Sequence, residues 1–277
     1  MNAKTKKKIK KMITSLVLAG IGLMMMLPIL WMLSSSFKYE SEIFKVPMQW
    51  IPTKTHFGNY RFAIEKFPYM TWYLNTAKIT GVIVMMNLVF SSLSGYAFAK
   101  LKFRGKEIIF FIFIATLMIP IQVRIIPQFV IFSKLDLINK HSAVYLPWMF
   151  NGFAIFLMRQ FFFTVPNEMI EASKIDGCST FRTFFQVALP LAKPSLIALT
   201  ILSFTWGWNT YLPALVYINQ TQKQVLAVGI SIFKDQYNSN YGPQMAGATL
   251  ALIPVIIVYL LAQKHFIEGI AMSGIKG

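Results

Sequence analysis

The stretch Glu171-Ala172-Ser173-Lys174-Ile175-Asp176-Gly177 is followed, after nine further residues, by Val187-Ala188-Leu189-Pro190. This polar, charged segment lies between two long apolar segments in a chain that is otherwise mostly hydrophobic. A simple connection between two membrane spans needs no helix-forming sequence of this kind. The segment therefore predicts a docking element that passes force or information to something outside the bilayer.

The composition indicates an integral membrane protein. Of the 277 residues, 56% are hydrophobic and only 13% are charged, with a mean hydropathy of +0.55, whereas a soluble domain has about 25% charged residues. The net charge of +17 would suit a nucleic-acid partner, but the Lys and Arg residues cluster beside the apolar runs, as the orientation of membrane spans requires. We therefore expect no nucleic acid as a partner. The single cysteine, Cys178, predicts neither an internal disulfide nor a metal site.

The pattern predicts an all-α integral membrane protein with six transmembrane helices. The candidate spans cover approximately residues 12–33, 72–99, 108–123, 142–158, 194–222 and 243–263, and Glu107 stands at the start of the third. We interpret the first as a retained span and not a signal peptide, because its apolar run is too long and no small-residue cleavage site follows. Pro120 and Pro127 predict a kink or an end in the third span.

The basic residues predict the orientation of these spans. With the N-terminus inside, the inner segments hold sixteen Lys and Arg residues and the outer segments nine, which places both termini in the cytoplasm. The longest outer loop, residues 34–71, is punctuated by Pro and Gly and is expected to be irregular. We expect residues 1–71 to hold the basic N-terminus, first span and outer loop, residues 72–263 the permeation core, and residues 264–277 a cytoplasmic tail.

The cytoplasmic segment 164–190 predicts a helix–turn–helix pair. Pro166 suits a first helical turn, and Gly177 suits a C-terminal stop. Ser179 or Thr180 would cap a second helix, residues 181–187, which Pro190 would end. The predicted apolar surface of the pair consists of Met169, Ile170, Ala172, Phe181, Phe184 and Phe185. An amphipathic pair lying on the inner leaflet is the alternative, although its acidic residues would be repelled by an anionic leaflet.

The spacing of this segment resembles the "EAA" loop of the permeases of bacterial ABC importers. That signature reads Glu-Ala-Ala, three residues, Gly, nine residues, Ile-x-Leu-Pro, and this chain departs from it conservatively at Ser173 and Val187. In that family the loop inserts into a groove on the ATP-binding subunit. The resemblance implies that the residues of this chain that couple to the ATPase are Glu171, Ala172, Ser173, Asp176, Gly177, Val187, Leu189 and Pro190.

The resemblance extends over nearly the whole chain and is strongest with the carbohydrate branch of the family. The matching segments are Ser34–Lys38, Ser94–Gly105, Ile119-Pro120-x-Gln122, Ile126-Pro127, Trp208-Asn209 and the tail from Gln263 to Gly277. The tail and the six spans are similar to the G-type permease of maltose systems. The family implies a type I importer fold and several partners: a second permease, two ATP-binding subunits, an extracellular or periplasmic solute-binding protein, and membrane lipid.

The chain lacks the residues that would make it an enzyme or an ion-driven transporter. It contains no Gly-x-x-x-x-Gly-Lys-Ser/Thr sequence, so ATP and Mg²⁺ are expected on the partner subunits and no cofactor or metal on this chain. All ten acidic residues lie outside the predicted apolar spans, whereas proton- or sodium-coupled transporters usually carry ionisable residues there. A secondary transporter and a passive channel remain as alternatives from other classes. Arg124 is interpreted as an anchor near the outer face.

Aromatic and amide side chains in the spans are candidates for a sugar pathway. Sugar sites combine apolar walls with a few placed polar groups. The candidates are Asn87, Asn151, Trp206, Trp208, Asn209 and Tyr211. Each asparagine would serve equally well as a hydrogen-bonding contact between helices, and the tryptophans as packing residues.

These observations predict a permease subunit of an ATP-driven, binding-protein-dependent importer in the bacterial cytoplasmic membrane. We expect it to translocate a sugar, an oligosaccharide in particular, by alternating access. Glycerol 3-phosphate or another polar solute is the alternative substrate, because similar permeases carry such solutes.

Overall fold

The computed structural model describes residues 3–233 and 240–274, and this part of the chain is all-helical. Of the predicted cytoplasmic tail 264–277, residues 275–277 lie outside the described residues. The first helices are α1 (Ala3–Ser35), α2 (Glu40–Ile43), α3 (Gly58–Glu65), α4 (Tyr69–Lys100), α5 (Lys106–Leu117), α6 (Ile121–Lys134) and α7 (His141–Tyr145). They are followed by α8 (Gly152–Thr164), α9 (Asn167–Ile175), α10 (Thr180–Thr183), α11 (Leu189–Leu191), α12 (Lys193–Trp208), α13 (Leu212–Tyr217), α14 (Leu226–Ser231) and α15 (Tyr241–Gly274).

Among the described residues, three helices are individually long and apolar enough to cross a bilayer. They are α1 from Lys7, α4, and α15 as far as Gln263. Two further pairs of helices are long and apolar enough only when taken together, and each pair is sharply bent: α5 with α6 by 103°, and Thr180–Leu191 with α12 by 78°. The first bend lies at Pro120, where the sequence predicts a kink.

The fourth predicted span, residues 142–158, is not one continuous helix. It begins as α7, passes through a 3-10 turn at Leu146–Trp148, and restarts as α8. The restart is capped by Asn151, whose Oδ1 accepts hydrogen bonds from the backbone N–H groups of Phe153 (3.0 Å) and Ala154 (3.2 Å). An asparagine cap of this kind supplies acceptors for the first free N–H groups of a helix, so it favours a new helix start over continuation.

The fifth predicted span also ends earlier than the apolar sequence does. Helix α12 stops at Trp208, and the uncharged sequence continues into the separate short helix α13. The length of the apolar stretch 194–222 therefore comes from two elements and not from one long span.

The chain divides into two compact units, residues 1–67 with 230–252 and residues 68–229 with 253–277. In the first unit, the predicted irregular loop 34–71 contains the short helices α2 and α3. Buried Asn59 holds the start of this loop by donating to the carbonyls of Ser36 (2.9 Å) and Lys38 (2.8 Å). Burial lowers the pKa of the Lys38 ammonium, while the Glu42 carboxylate acts in the opposite direction.

The second unit is built around α4, which packs along both α8 and α12. The crossing with α8 is close because Gly95 has no side chain. A Cβ atom at this position would lie 2.6 Å from the Cβ atom of Met158 and 2.8 Å from the backbone nitrogen of Arg159. Small residues allow helix backbones to approach in this way in membrane proteins.

We predict that Gly95→Ala destabilises the second unit and that Gly81→Ala in the same helix does not. A Cβ atom at Gly81 meets nothing within 4 Å, so alanine there brings only its better helix propensity. Overpacking at Gly95 should cost about 1–3 kcal/mol. Thermal denaturation of the two purified variants in detergent micelles would measure the difference. Equal midpoints for both variants would contradict the close crossing.

Candidate functional site

The docking segment forms a pair of helices, α9 and α10, which we call the coupling pair. Helix α9 ends in a Schellman motif: the N–H of Cys178 donates to the carbonyl of Ser173 and the N–H of Gly177 to that of Lys174, both at 3.0 Å. Gly177 has φ +79°, a left-handed conformation that glycine adopts without a steric penalty. Gly177 is therefore fixed by backbone geometry, as the sequence predicts for a helix stop.

The second helix of the pair starts where the sequence predicts but continues further. The hydroxyl of Ser179 accepts from the N–H of Arg182 (3.3 Å) and caps α10. A π-helical turn, Phe184–Ala188, then leads directly into α11, which contains Pro190. The helical path ends at Leu191, one residue beyond Pro190, as the sequence predicts, but the π-helical turn before it was not predicted.

A buried pair of hydroxyls joins the two helices. The hydroxyl of Ser173 donates to the carbonyl of Ile170 (2.8 Å) and lies 2.9 Å from the hydroxyl of Thr183. Both side chains are buried, so each hydroxyl needs a partner. Ser173 is one of the positions where the chain departs from the family signature, and the alanine of the signature could not make this contact.

The predicted apolar surface of the pair is divided between an inner and an outer face. Ile170 and Phe184 are buried, together with Ala188, in a core that includes Tyr96, Met158 and Phe162 from α4 and α8. Of the predicted surface residues, Met169 (43%), Phe181 (69%) and Phe185 (55%) are exposed. Ile175, at 86% exposure, adds to the outer face. The inner face of the pair is thus buried in the core of the second unit, and its outer face is exposed.

The predicted coupling residues fall on both faces. Glu171, Ala172, Asp176, Gly177 and Pro190 are exposed. Ser173 is buried, while Val187 and Leu189 are half-buried and pack against the core below the pair. The first group is available to a partner, and the second group holds the pair in place.

Two basic residues, whose contacts the sequence analysis did not predict, tie this region to the helices above it. The Lys100 ammonium, at the end of α4, donates to the carbonyl of Val165 (2.6 Å) and to Oδ1 of Asn167 (2.7 Å). These acceptors lie just after α8 and at the start of α9, so Lys100 fixes the connection between them. The sequence could have indicated this contact, because a basic residue in the last turn of a helix often donates to nearby carbonyl groups.

Arg159 is the second of these residues and is only 8% exposed. Its Nη2 lies 2.7 Å from both carboxylate oxygens of Glu107, and its Nε donates to the carbonyl of Phe98 (3.3 Å). The guanidinium also lies over the ring of Phe110, 3.8 Å from its centroid. One side chain of α8 thereby contacts α4 and α5 close to the coupling pair.

The candidate pathway residue Asn87 lies inside the bundle. It is fully buried on α4, and its Nδ2 donates to the hydroxyl of Ser203 on α12 (3.0 Å). Within the described part of the chain, several buried polar atoms of α4 have no hydrogen-bond partner: Thr80 Oγ1, Asn87 Oδ1, Ser91 Oγ, Ser92 Oγ and Tyr96 Oη. The geometry of Asn87 agrees with the contact role between helices that the sequence left open.

Asn151 and Trp206 line a cavity of about 330 Å³ between the bend of α5 and α6 and the ends of α8 and α12. Trp206 stacks on Trp148, with ring centroids 5.6 Å apart and an interplanar angle of 20°. The other candidates are not among the residues that line this cavity. Trp208 is buried against Tyr73 and Phe204, and Asn209 donates to the carbonyl of Thr205 (2.9 Å). Tyr211 is 40% exposed.

Comparisons with known proteins agree on one family. The profile of the family described as "Binding-protein-dependent transport system inner membrane component" matches residues 87–271. The chain is 33% identical over 262 residues to the arabinooligosaccharides transport system permease protein AraQ of Halalkalibacterium halodurans, covering 94% of each protein. It is 33% identical over 242 residues to the sn-glycerol-3-phosphate transport system permease protein UgpE of Pectobacterium atrosepticum, covering 84% of this chain and 86% of that protein.

A solved structure is similar over nearly the full length. It is the crystal structure of a bacterial ABC transporter involved in the import of the acidic polysaccharide alginate. One chain of it superposes with a TM-score of 0.83 at 26% sequence identity, covering 94% of this chain and 98% of that one.

We predict that Arg159→Met destabilises the protein more than Glu107→Gln does. Removing the guanidinium removes its hydrogen bonds to Glu107 and Phe98 and its contact with Phe110, which should cost about 2–3 kcal/mol. The Glu107 side chain is 68% exposed, so its ion pair should contribute at most about 1 kcal/mol. Thermal denaturation in detergent micelles measures both. An equal loss in the two variants would show that only the ion pair matters.

Proposed function

The chain belongs to the family of binding-protein-dependent transport system inner membrane components, and from this premise we propose that it is the permease subunit of an ATP-driven sugar importer. A permease of this kind moves its solute by alternating access, with the pathway open first to one side of the membrane and then to the other. We propose the bacterial cytoplasmic membrane as its location, with six spans and both termini in the cytoplasm.

The observation that carries this proposal is the two-faced coupling pair. Its inner face packs into the core with Tyr96, Met158 and Phe162, and its outer face presents Phe181 and Ile175 to the surroundings. Exposed apolar side chains grouped beside acidic ones suit a protein interface. A passive channel would need no such surface.

The proposed partners follow from the same surface. Two ATP-binding subunits would each hold a coupling pair, one from this chain and one from a second permease. ATP would be bound on those subunits and would favour one state of the assembly, because it binds that state more tightly. The hydrogen bonds of Lys100 and Arg159 would make α4, α5 and α8 move together with the coupling pair. A solute-binding protein would deliver the sugar from the other side.

We propose an oligosaccharide as the solute. Its support is the stacked pair of Trp148 and Trp206 beside free amide groups in the cavity, since apolar walls with a few polar groups suit sugar rings. The relatives named above carry arabinooligosaccharides, alginate or glycerol 3-phosphate. Glycerol 3-phosphate is therefore the second candidate. Family membership disfavours the ion-coupled transporter.

We predict that Glu171→Lys abolishes ATP-driven uptake without affecting insertion of the chain. Reversing the charge on the exposed end of α9 should weaken docking to the ATP-binding subunit, and uptake should fall by at least about tenfold, equivalent to about 1.4 kcal/mol. Uptake of a labelled sugar into whole cells that carry the complete transporter, with protein levels measured in parallel, tests this. The control is Glu65→Lys, the same reversal at an exposed helical glutamate of the first unit. Normal uptake by Glu171→Lys would contradict the coupling role.

A direct contact with the ATP-binding subunit is predicted at Phe181. The lone Cys178 is first replaced by serine, and a cysteine is introduced by Phe181→Cys and labelled with a photoactivated cross-linker. Illumination of native membranes should join the chain to the ATP-binding subunit. Met118→Cys, at a residue with 84% exposure near the bend of α5 and α6, provides the control and should not cross-link. Absence of a cross-link from position 181 would overturn the proposed docking surface.

A further inference from the structure

The charge and the hydrogen-bond donors that line the cavity beside the α5–α6 bend indicate which class of substrate it can bind. Its described lining includes Arg124, Gln128, Trp148, Asn151, Trp206 and Tyr217. Of the described residues that line it, Arg124 alone is charged, and no acidic side chain is among them. The volume of about 330 Å³ lies near the lower end of the range for ligand pockets, about 300–1,000 Å³. It would hold a short part of a sugar chain.

In this cavity the side-chain amide oxygens of Asn151 and Gln128 accept hydrogen bonds from the protein, while their NH₂ groups donate to none of the described residues. Oδ1 of Asn151 accepts two backbone N–H groups at the start of α8, which leaves its NH₂ group for a ligand. Oε1 of Gln128 accepts from the hydroxyl of Tyr217 (2.9 Å), which leaves a second NH₂ group. The cavity is therefore rich in donors, and a ligand rich in acceptors would satisfy it.

Arg124 adds an uncompensated positive charge to these donors. It lies on α6 in a pair of helices that together would make a broken span, and among the described residues it forms no salt bridge. An ionisable residue in such a segment is expensive unless it pairs with something, and it commonly marks a substrate path. Arginine presents a planar fork that matches a carboxylate with two parallel hydrogen bonds.

We propose that this cavity binds an anionic sugar unit, a uronate, with its carboxylate on Arg124 and its ring against Trp148 and Trp206. The inference rests on the proposed function, since it assigns a substrate class to the same permease. Gln128 and Asn151 donate to ring hydroxyls or to the carboxylate. The positive charge makes the site selective for acidic over neutral glycans, and the aromatic wall makes it selective for a sugar over glycerol 3-phosphate.

Equilibrium binding to the assembled transporter in lipid nanodiscs tests this, without the solute-binding protein. The probes are digalacturonate, the neutral disaccharide galactobiose, and glycerol 3-phosphate. Digalacturonate should bind most tightly. Arg124→Gln should weaken it by about 10- to 100-fold, the loss of a charge-assisted hydrogen-bond pair, and leave galactobiose within about twofold. Arg124→Lys should fall in between, because lysine keeps the charge but not the fork.

The matched control is Lys134→Gln, which removes one positive charge from the last turn of the same helix, at a residue that does not line the cavity. It should leave digalacturonate binding unchanged. The inference is overturned if galactobiose or glycerol 3-phosphate binds as tightly as digalacturonate. It is also overturned if Arg124→Gln weakens acidic and neutral disaccharides equally, which would make Arg124 a general structural residue.

Uptake into vesicles containing the complete transporter with its solute-binding protein separates this inference from the proposed function. ATP-dependent uptake of neutral oligosaccharides only, unaffected by Arg124→Gln, overturns the uronate site and leaves the importer intact. Uptake of no oligosaccharide of either class overturns the proposed function and the uronate site with it. Uptake of acidic oligosaccharides that falls in Arg124→Gln and persists in Lys134→Gln supports both.

Discussion

Burial of Ile170 and Phe184 beneath the coupling pair is the packing contact on which the rest of the second unit depends. These side chains lie in one core with residues of α4, α8 and α12. Protein interiors are close-packed and transmit strain with little compression. A displacement of α9 and α10 must therefore displace the helices that share this core, and a surface that only rested on the bundle would transmit nothing.

Polar contacts at the same end of the bundle join the packed helices at specific positions. Lys100 joins the end of α4 to the start of α9, and Arg159 joins α8 to α5 and to the end of α4. Hydrogen bonds to charged groups are stronger than neutral ones but require specific positions. Close packing of apolar side chains holds membrane helices together, and these charged groups add specific contacts between α4, α5, α8 and α9.

The sequence predicted the chemical identity of the docking segment better than its geometry. The stop at Gly177 and the cap at Ser179 follow from local rules of helix termination, which depend on a few neighbouring residues. The division of the apolar residues into buried Phe184 and exposed Phe181 depends on the neighbouring helices, which no local pattern contains. The break at Asn151 was missed because a long apolar stretch has no period that shows where one helix ends and another begins. The contact of Arg159 with Glu107 was not predicted, since the two residues are distant in sequence.

The unpartnered polar atoms of α4 have a consequence for the energetics of movement. A buried donor or acceptor without a partner costs about 1–3 kcal/mol, and Asn87, Ser91 and Ser92 each contribute one such atom. Asn87 faces α12, where it contacts Ser203, and a fully hydrogen-bonded interface there would resist sliding of the two helices. The hydrogen bonding of this interface is instead incomplete. A small shift of α4 along α12, or the entry of a water molecule, can give one of these atoms a partner and so regain part of the lost free energy. Incomplete hydrogen bonding between α4 and α12 therefore lowers the free-energy cost of moving one helix against the other.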